Sequence, residues 1–175
     1  MLLVFQKHIR WILRLINILM RKIMNRLFYT WDNFDHDILY IIRQLYADKW
    51  IPDYVVGVKR GGLIPAVKIS HTLNKPLIMM SCQLRDSNDN EVRLYEVEEL
   101  SKDRNILIVD DICDSGGTLS KIIIEFIAKG FDVNHIKTCS LIFNKSQSFK
   151  IDYRARTIDR DIEDGWIIFP WEKDN

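Results

Sequence analysis

The chain has 175 residues, of which 47% are apolar and 28% charged, and 25 Lys and Arg against 24 Asp and Glu leave a net charge of +1. That balance excludes a disordered chain and a protein built throughout to neutralise nucleic acid, and the length argues for one domain with at most a small subdomain. Cys82, Cys113 and Cys139 form no C-x-x-C, which speaks against a zinc site and a disulfide framework and fits a reducing, cytoplasmic setting.

The first 28 residues differ from the rest. They hold Lys7, Arg10, Arg14, Arg21, Lys22 and Arg26 and no acid, so this segment carries +6 and the remainder −5. Lys7, Arg10, Arg14, Asn17, Arg21 and Asn25 recur at steps of three and four, which predicts a basic amphipathic helical extension over residues 1–27. Such a helix suits a membrane surface, making the protein peripheral there, or a partner's groove. The plainer readings are a helix packed on the domain or on a second copy, or an upstream extension, since Met20 and Met24 can each begin a shorter chain. Its uncharged stretches fall far short of the about 20 apolar residues that span a bilayer, and it has no small-residue cleavage site of a signal peptide.

Thr30 and Asp32 can cap a helix whose apolar face is Phe34, Ile38, Ile41, Ile42 and Leu45, ending near Asp48. Tyr54–Val58 is a short apolar strand closed by the turn Lys59–Gly62. Leu63–Leu73 reads as a helix and Leu77–Met80 as a strand. The polar, acidic stretch 86–103 reads as a mobile loop with room for a short hairpin. Ile106–Val109 is an apolar run expected of a strand buried on both faces. A turn over Ser115–Thr118 leads into a helix, Leu119–Lys129, that stops at Gly130. Lys137–Phe143 and Tyr153–Thr157 complete the strands. Strand, turn and helix alternate, which predicts an α/β fold with a mostly parallel sheet flanked by helices.

The chemistry concentrates in Ile106–Leu119, ILIVDDICDSGGTL. A buried strand runs into Asp110 and Asp111, Asp114 follows, and Ser115, Gly116, Gly117 and Thr118 open a helix. Ligands of parallel sheets bind at the carboxyl ends of strands. Small residues let backbone N–H groups approach an anion, the helix N-terminus adds its dipole, and two hydroxyls add donors. A phosphate held there would lie beside acids able to accept from neighbouring hydroxyls, which describes a ribose 5-phosphate. A receiver domain places its Asp-Asp near the start of the domain and lacks the glycine turn. An ATPase would need a G-x-x-x-x-G-K-[ST] loop, and none occurs.

Ile106–Leu119 resembles, along its whole length, the phosphoribosyl-pyrophosphate motif of type I phosphoribosyltransferases. Tyr54–Leu77, Phe143-Asn144-Lys145 and Asp164–Glu172 (DGWIIFPWE) are similar to the 6-oxopurine branch, the xanthine-guanine and hypoxanthine enzymes. Together they cover most of 28–172, so the resemblance implies a phosphoribosyltransferase domain over 28–175 preceded by the extension. It implies the type I fold, with a small hood formed by the terminal segments. Lys59, Arg60, Gly61 and Gly62 match the pyrophosphate loop, which in relatives usually contains a non-proline cis peptide; on its own, KRGG reads as an exposed basic turn. Asp110 and Asp111 match the acids that hold the ribose hydroxyls, partly through Mg²⁺. Ser115, Gly116, Gly117 and Thr118 match the 5′-phosphate cradle. Asp114 matches the carboxylate that exchanges a proton with the purine's imidazole nitrogen. Lys145 matches the donor to the 6-oxo group, Trp166 the ring that stacks on the base, and Ile167 the backbone that reads purine position 2. Read from position alone, Lys145 is a solvated strand-end lysine and Trp166 a packing residue. Phe169 and Trp171 read as packing residues. Arg85 and Arg93 both remain candidates for a loop contact to pyrophosphate. Cys113 reads as a packed side chain and not as a nucleophile.

The expected activity is Mg²⁺-dependent transfer of 5-phosphoribosyl from phosphoribosyl pyrophosphate to xanthine, guanine or hypoxanthine in purine salvage, by a homo-oligomer, dimer or tetramer. The alternatives are a regulatory protein that senses the donor or a purine on the same fold, and transfer to another base. The −5 charge beyond residue 28 speaks against the regulator, and Lys145 with Trp166 against another base.

Overall fold

The computed structural model describes residues 26–82, 92–94, 100–162 and 165–172. These fall into two compact units, a larger one over 32–160 and a smaller one formed by 26–31 with 161–172.

The larger unit is built on a six-stranded sheet. In chain order its elements are helix α1 (Trp31–Ala47), strand β2 (Tyr54–Lys59), helix α2 (Leu63–Leu73), β3 (Leu77–Cys82), β4 (Val92–Leu94), β5 (Ile106–Cys113), helix α3 (Gly117–Ala128), a 3₁₀ turn, β6 (Ile136–Asn144) and β7 (Tyr153–Ile158). The strand order is β4-β3-β2-β5-β6-β7, parallel except for β4, which runs antiparallel to β3. Period-two alternation divides the apolar side chains between the faces. Val56, Val58, Ile106 and Ile108 pack with Leu119, Ile122 and Phe126 of α3. The opposite face is covered by α2, which sits so close to β2 that a Cβ on Gly57 would lie 2.8 Å from that of Ala66. Beside α2 lies α1, whose Asp35 pairs with Lys68 at 2.9 Å. The far side of α1 reaches β7, where buried Asp37 accepts from Arg156 Nε at 2.6 Å.

Several boundaries differ from expectation, two of them next to the acids. The strand expected over Ile106–Val109 continues through both acids to Cys113, because Ile112 and Cys113 still pair with Ile142 and Phe143 of β6. The helix expected over Leu119–Lys129 starts two residues earlier, at Gly117, and ends at Ala128. Between β6 and β7 the parallel connection is residues 145–152, with no helix. Such crossovers usually take a dozen residues or more. Here the connection buries Ile151 and sets Phe149 against the core.

In the smaller unit, β1 (Arg26–Phe28) pairs in parallel with β8 (Trp166–Ile168). Tyr29, Phe169 and Trp171 extend this ribbon as an aromatic cluster, with Phe169 stacked on Trp171 at 4.8 Å. The two terminal segments thus pair with each other. The helical reading of 1–27 fails at its last two residues, since Arg26 and Leu27 are extended and hydrogen-bonded to β8; the boundary expected between 27 and 28 falls inside β1. The remainder of that extension, and most of the loop expected over 86–103, lie outside the described residues. No helix among the described residues is long and apolar enough to cross a membrane.

Candidate active site

Neighbouring parallel strands deliver two loops to one edge of the sheet. Gly57 of β2 pairs with Val109 of β5, so the loop after β2 and the acids of β5 emerge side by side at their carboxyl ends. The Lys59–Arg60 peptide is cis, as the resemblance leads one to expect. Lys59 and Arg60 are exposed, while Gly62 is buried against β5. A Cβ on Gly62 would meet Val109 O at 2.5 Å and the Asp110 Cα at 2.8 Å. One on Gly61 would fall 1.8 Å from Asp111 Oδ2. Glycine at both positions is what lets this basic loop rest directly on the acids.

The two acids bend back along their own strand. Asp110 Oδ1 accepts from the Asp111 N–H at 3.0 Å, and Asp111 Oδ1 accepts from Ile112 N–H at 2.8 Å. Burial pushes the Asp110 carboxyl well above the usual range. The Asp111 charge and a side-chain hydrogen bond to Asp111 push the same way, and the Asp111 N–H only partly offsets them. The pair therefore holds a proton more readily than two separate surface carboxylates do.

Beyond the strand, Gly116 adopts a left-handed conformation (φ 73°) that favours glycine, and α3 begins at Gly117. A Cβ on Gly116 would lie 2.2 Å from that of Phe149, so the β6–β7 connection holds this turn from behind. Ser115 is exposed, its hydroxyl accepting from Gly117 N–H at 3.4 Å; Gly117 and Thr118 are half-buried. The first N–H groups of any helix lack intrahelical partners, so the start of α3 offers donors beside the acids. Cys113 beneath them is buried, and burial, helped by Asp110 and Asp114, pushes its thiol up to about 12. That agrees with a packed and not a nucleophilic side chain.

Asp114 belongs to a hydrogen-bonded ring that the sequence does not announce. The carboxamide of buried Asn144, last residue of β6, donates to Asp114 O at 3.1 Å and to Asp114 Oδ1 at 3.3 Å. Asn144 Oδ1 accepts from the N–H groups of Ser146 at 3.0 Å and Arg160 at 3.2 Å. Arg160 Nε then donates to Asp114 Oδ1 at 3.2 Å. Lys145 is exposed and pairs with Asp159 Oδ2 at 3.2 Å, while Ser146 Oγ donates to Asp159 Oδ1 at 2.6 Å. Asp114 and Lys145 are thus joined through Asn144. Asn144, Asp159 and Arg160 are the residues that sequence reasoning missed. A buried Asn ending an apolar strand next to Lys145 was a usable signal; nothing in the sequence pointed to Asp159 or Arg160.

Trp166 and Ile167 sit on β8 in the smaller unit, the Trp166 ring exposed and the Ile167 side chain buried. Arg93 is placed on β4, and Arg85 lies outside the described residues.

A model of the phosphoribosyl transferase domain matches residues 28–173. The crystal structure of a purine phosphoribosyltransferase from Pyrococcus horikoshii is similar with a TM-score of 0.71 at 31% identity, over 86% of this chain and 96% of that one. Xanthine-guanine phosphoribosyltransferases are also similar. That of Gluconobacter oxydans is 26% identical over 148 residues, 82% of each chain. That of Cereibacter sphaeroides is 28% identical over 123 residues, 67% of this chain and 68% of its own.

Proposed function

The chain belongs to the phosphoribosyltransferase family, among the purine phosphoribosyltransferases, and from that premise we propose that it transfers the 5-phosphoribosyl group of phosphoribosyl pyrophosphate to a 6-oxopurine. Xanthine, guanine and hypoxanthine are the candidate bases, and the products are the nucleoside monophosphate and pyrophosphate. The observation that carries this reading is the linkage of Asp114 and Lys145 through Asn144, beside the acid pair and the glycine turn. An oxopurine presents an N–H on its imidazole ring and a carbonyl at position 6. A carboxylate accepts from the first, and an ammonium, which has donors only, suits the second and not the amino group of adenine.

In this reading the purine nitrogen attacks the anomeric carbon as the bond to pyrophosphate loosens, and the configuration inverts. Lys59 and Arg60 place positive charge where the leaving group gathers negative charge, and the glycine loop brings backbone to the same place. Asp110 and Asp111 accept from the ribose hydroxyls. Ser115, Thr118 and the N–H groups opening α3 hold the 5′-phosphate, while Trp166 and the Ile167 backbone serve the base. Asp114 takes the imidazole proton as the nitrogen bonds to the sugar.

The acid pair also fits Mg²⁺. It supplies hard carboxylate oxygens at a point where burial and mutual repulsion disfavour charge, which a cation would relieve, and Mg²⁺ commonly takes one or two carboxylates together with substrate phosphates. When bound there it would supply charge neutralisation for the departing pyrophosphate.

The test is direct. The protein is incubated with Mg²⁺, phosphoribosyl pyrophosphate and each purine base in turn, and nucleotide and pyrophosphate are measured. Nucleoside monophosphate from at least one oxopurine is expected. Product from adenine alone, or from no base, overturns the assignment.

A further inference from the structure

The geometry points to Arg160 as a positioning residue for Asp114, fixing which of its two carboxylate oxygens faces the base. This rests on the base-proton role proposed for Asp114.

Three strand ends contribute one residue each to a closed ring: Asp114 after β5, Asn144 ending β6 and Arg160 after β7. Arg160 N–H donates to Asn144 Oδ1 at 3.2 Å, and the Asn144 carboxamide donates to Asp114 O and Oδ1. The Arg160 Nε closes the ring on Asp114 Oδ1 at 3.2 Å, with the arginine side chain only 21% exposed. Oδ1 therefore takes two donors. Oδ2 accepts no hydrogen bond among the described residues, and so remains the acceptor for a proton arriving on the base. Without the ring, the Asp114 side chain, 39% exposed at the mouth of a turn, would rotate between several rotamers.

The guanidinium is suited to this in a way that an ammonium is not. Its Nε–H has a fixed direction in a rigid plane, and the Arg160 backbone is itself tied to Asn144. Asn144 sets the distance between β5 and β6 at this point, and Arg160 sets the torsion of the carboxylate. Neither residue needs to touch the substrate to do so.

The experiment is a mutant cycle on the full chain under the conditions that give product. Arg160→Met is expected to lower kcat by about tenfold to a hundredfold, the cost of a misaligned base, while the KM for phosphoribosyl pyrophosphate stays within about twofold. Arg160→Lys, which keeps a donor but not its direction, should fall between that variant and the wild type. In an Asp114→Asn background Arg160→Met should cost less than about a further twofold, because there is no longer a carboxylate to aim. Losses that simply multiply, or an Arg160→Met enzyme with wild-type kcat, overturn the assignment. If Arg160→Met does not fold, the same cycle run with Arg160→Lys decides the question by the same criterion. A wild-type protein that makes no nucleotide from any oxopurine removes the parent reading instead. An active wild type with an indifferent Arg160 removes only this one.

Discussion

The Asp111 carboxylate occupies the space that any side chain at position 61 would need: a Cβ on Gly61 would lie 1.8 Å from its Oδ2. The basic loop and the acid pair are therefore in van der Waals contact through a missing methyl group. Gly62, next in the chain, meets backbone instead, with Val109 O at 2.5 Å and Val58 O at 2.9 Å from its own Cβ position. The end of a side chain can turn away, whereas two strands cannot.

The two glycines should accordingly fail differently. Gly61→Ala displaces the Asp111 carboxylate and leaves the fold standing. Its Tm should remain within a few degrees of wild type, while affinity for phosphoribosyl pyrophosphate falls about tenfold or more, read by calorimetric titration. Gly62→Ala must part β2 from β5 and should cost about 2–4 kcal/mol, read by urea unfolding. Equal stability losses in the two variants would contradict this reading of the contact.

What the sequence made legible follows from how local each signal is. Leu63–Leu73 was found to the residue, because glycine precedes it and Asn74 stops it in a left-handed turn (φ 50°). The run Ile106–Val109 was visible as a buried strand, yet its continuation through Asp110 and Asp111 was not. Acids argue against burial, and only pairing with β6 keeps them extended. The turn Ser115–Thr118 was readable as an anion cradle from its small residues and hydroxyls, whereas KRGG alone reads as an exposed basic turn and drew its role only from the resemblance. The ring at Asp114 was not legible, since Arg160 lies 46 residues away and arrives by a parallel connection that lacks the usual helix. Long-range side-chain pairs of that kind leave no periodicity to read.

Asp110 links the site to stability. Burial, then the Asp111 charge, raise its carboxyl well above the ordinary value in the folded protein, partly offset by the Asp111 N–H. Between the ordinary value of about 4 and the raised one, the folded state binds more protons than the unfolded state. Stability therefore falls as pH rises through that window. Asp110→Asn, which cannot ionise, should raise the Tm at pH 7–8 and give no gain near pH 4, measured by scanning calorimetry without Mg²⁺. If Asp110 accepts from the ribose hydroxyls as proposed, the same variant should bind the donor more weakly. A Tm advantage that is the same at both pH values would mean that ionisation of Asp110 carries no penalty.

Cys113 lies inside the phosphoribosyl motif but is 2% exposed, with its thiol pushed up to about 12. Cys139 is fully buried, and its thiol is likewise raised. Thiolate is the reactive form, so both should resist alkylation in the folded protein. Iodoacetamide at pH 8, followed by peptide mass spectrometry, should leave both unmodified in buffer and label both in urea. Cys113→Ala or Cys113→Ser should retain catalysis, with a stability loss from the emptied space. Rapid labelling of native Cys113, with parallel loss of activity, would show that the turn above it opens.

In the proposed reading, Lys145 carries the preference for oxygen over nitrogen at purine position 6. It is exposed and paired with Asp159 at 3.2 Å, and exposed ion pairs contribute at most about 1 kcal/mol to stability. Lys145→Gln should therefore leave the Tm nearly unchanged. Its effect should appear in the base: a charged donor to a carbonyl is replaced by a neutral amide that can also accept. A charge-assisted hydrogen bond is worth about 1.5–3 kcal/mol, so kcat/KM for the preferred oxopurine should fall by about tenfold to a hundredfold. Adenine, whose amino group the glutamine carbonyl can accept, should lose little or gain. The measurement is kcat/KM for each base at saturating phosphoribosyl pyrophosphate, and the quantity that matters is the ratio of oxopurine to adenine. A ratio unchanged by the substitution would mean that Lys145 only anchors Asp159, and that the base is read elsewhere.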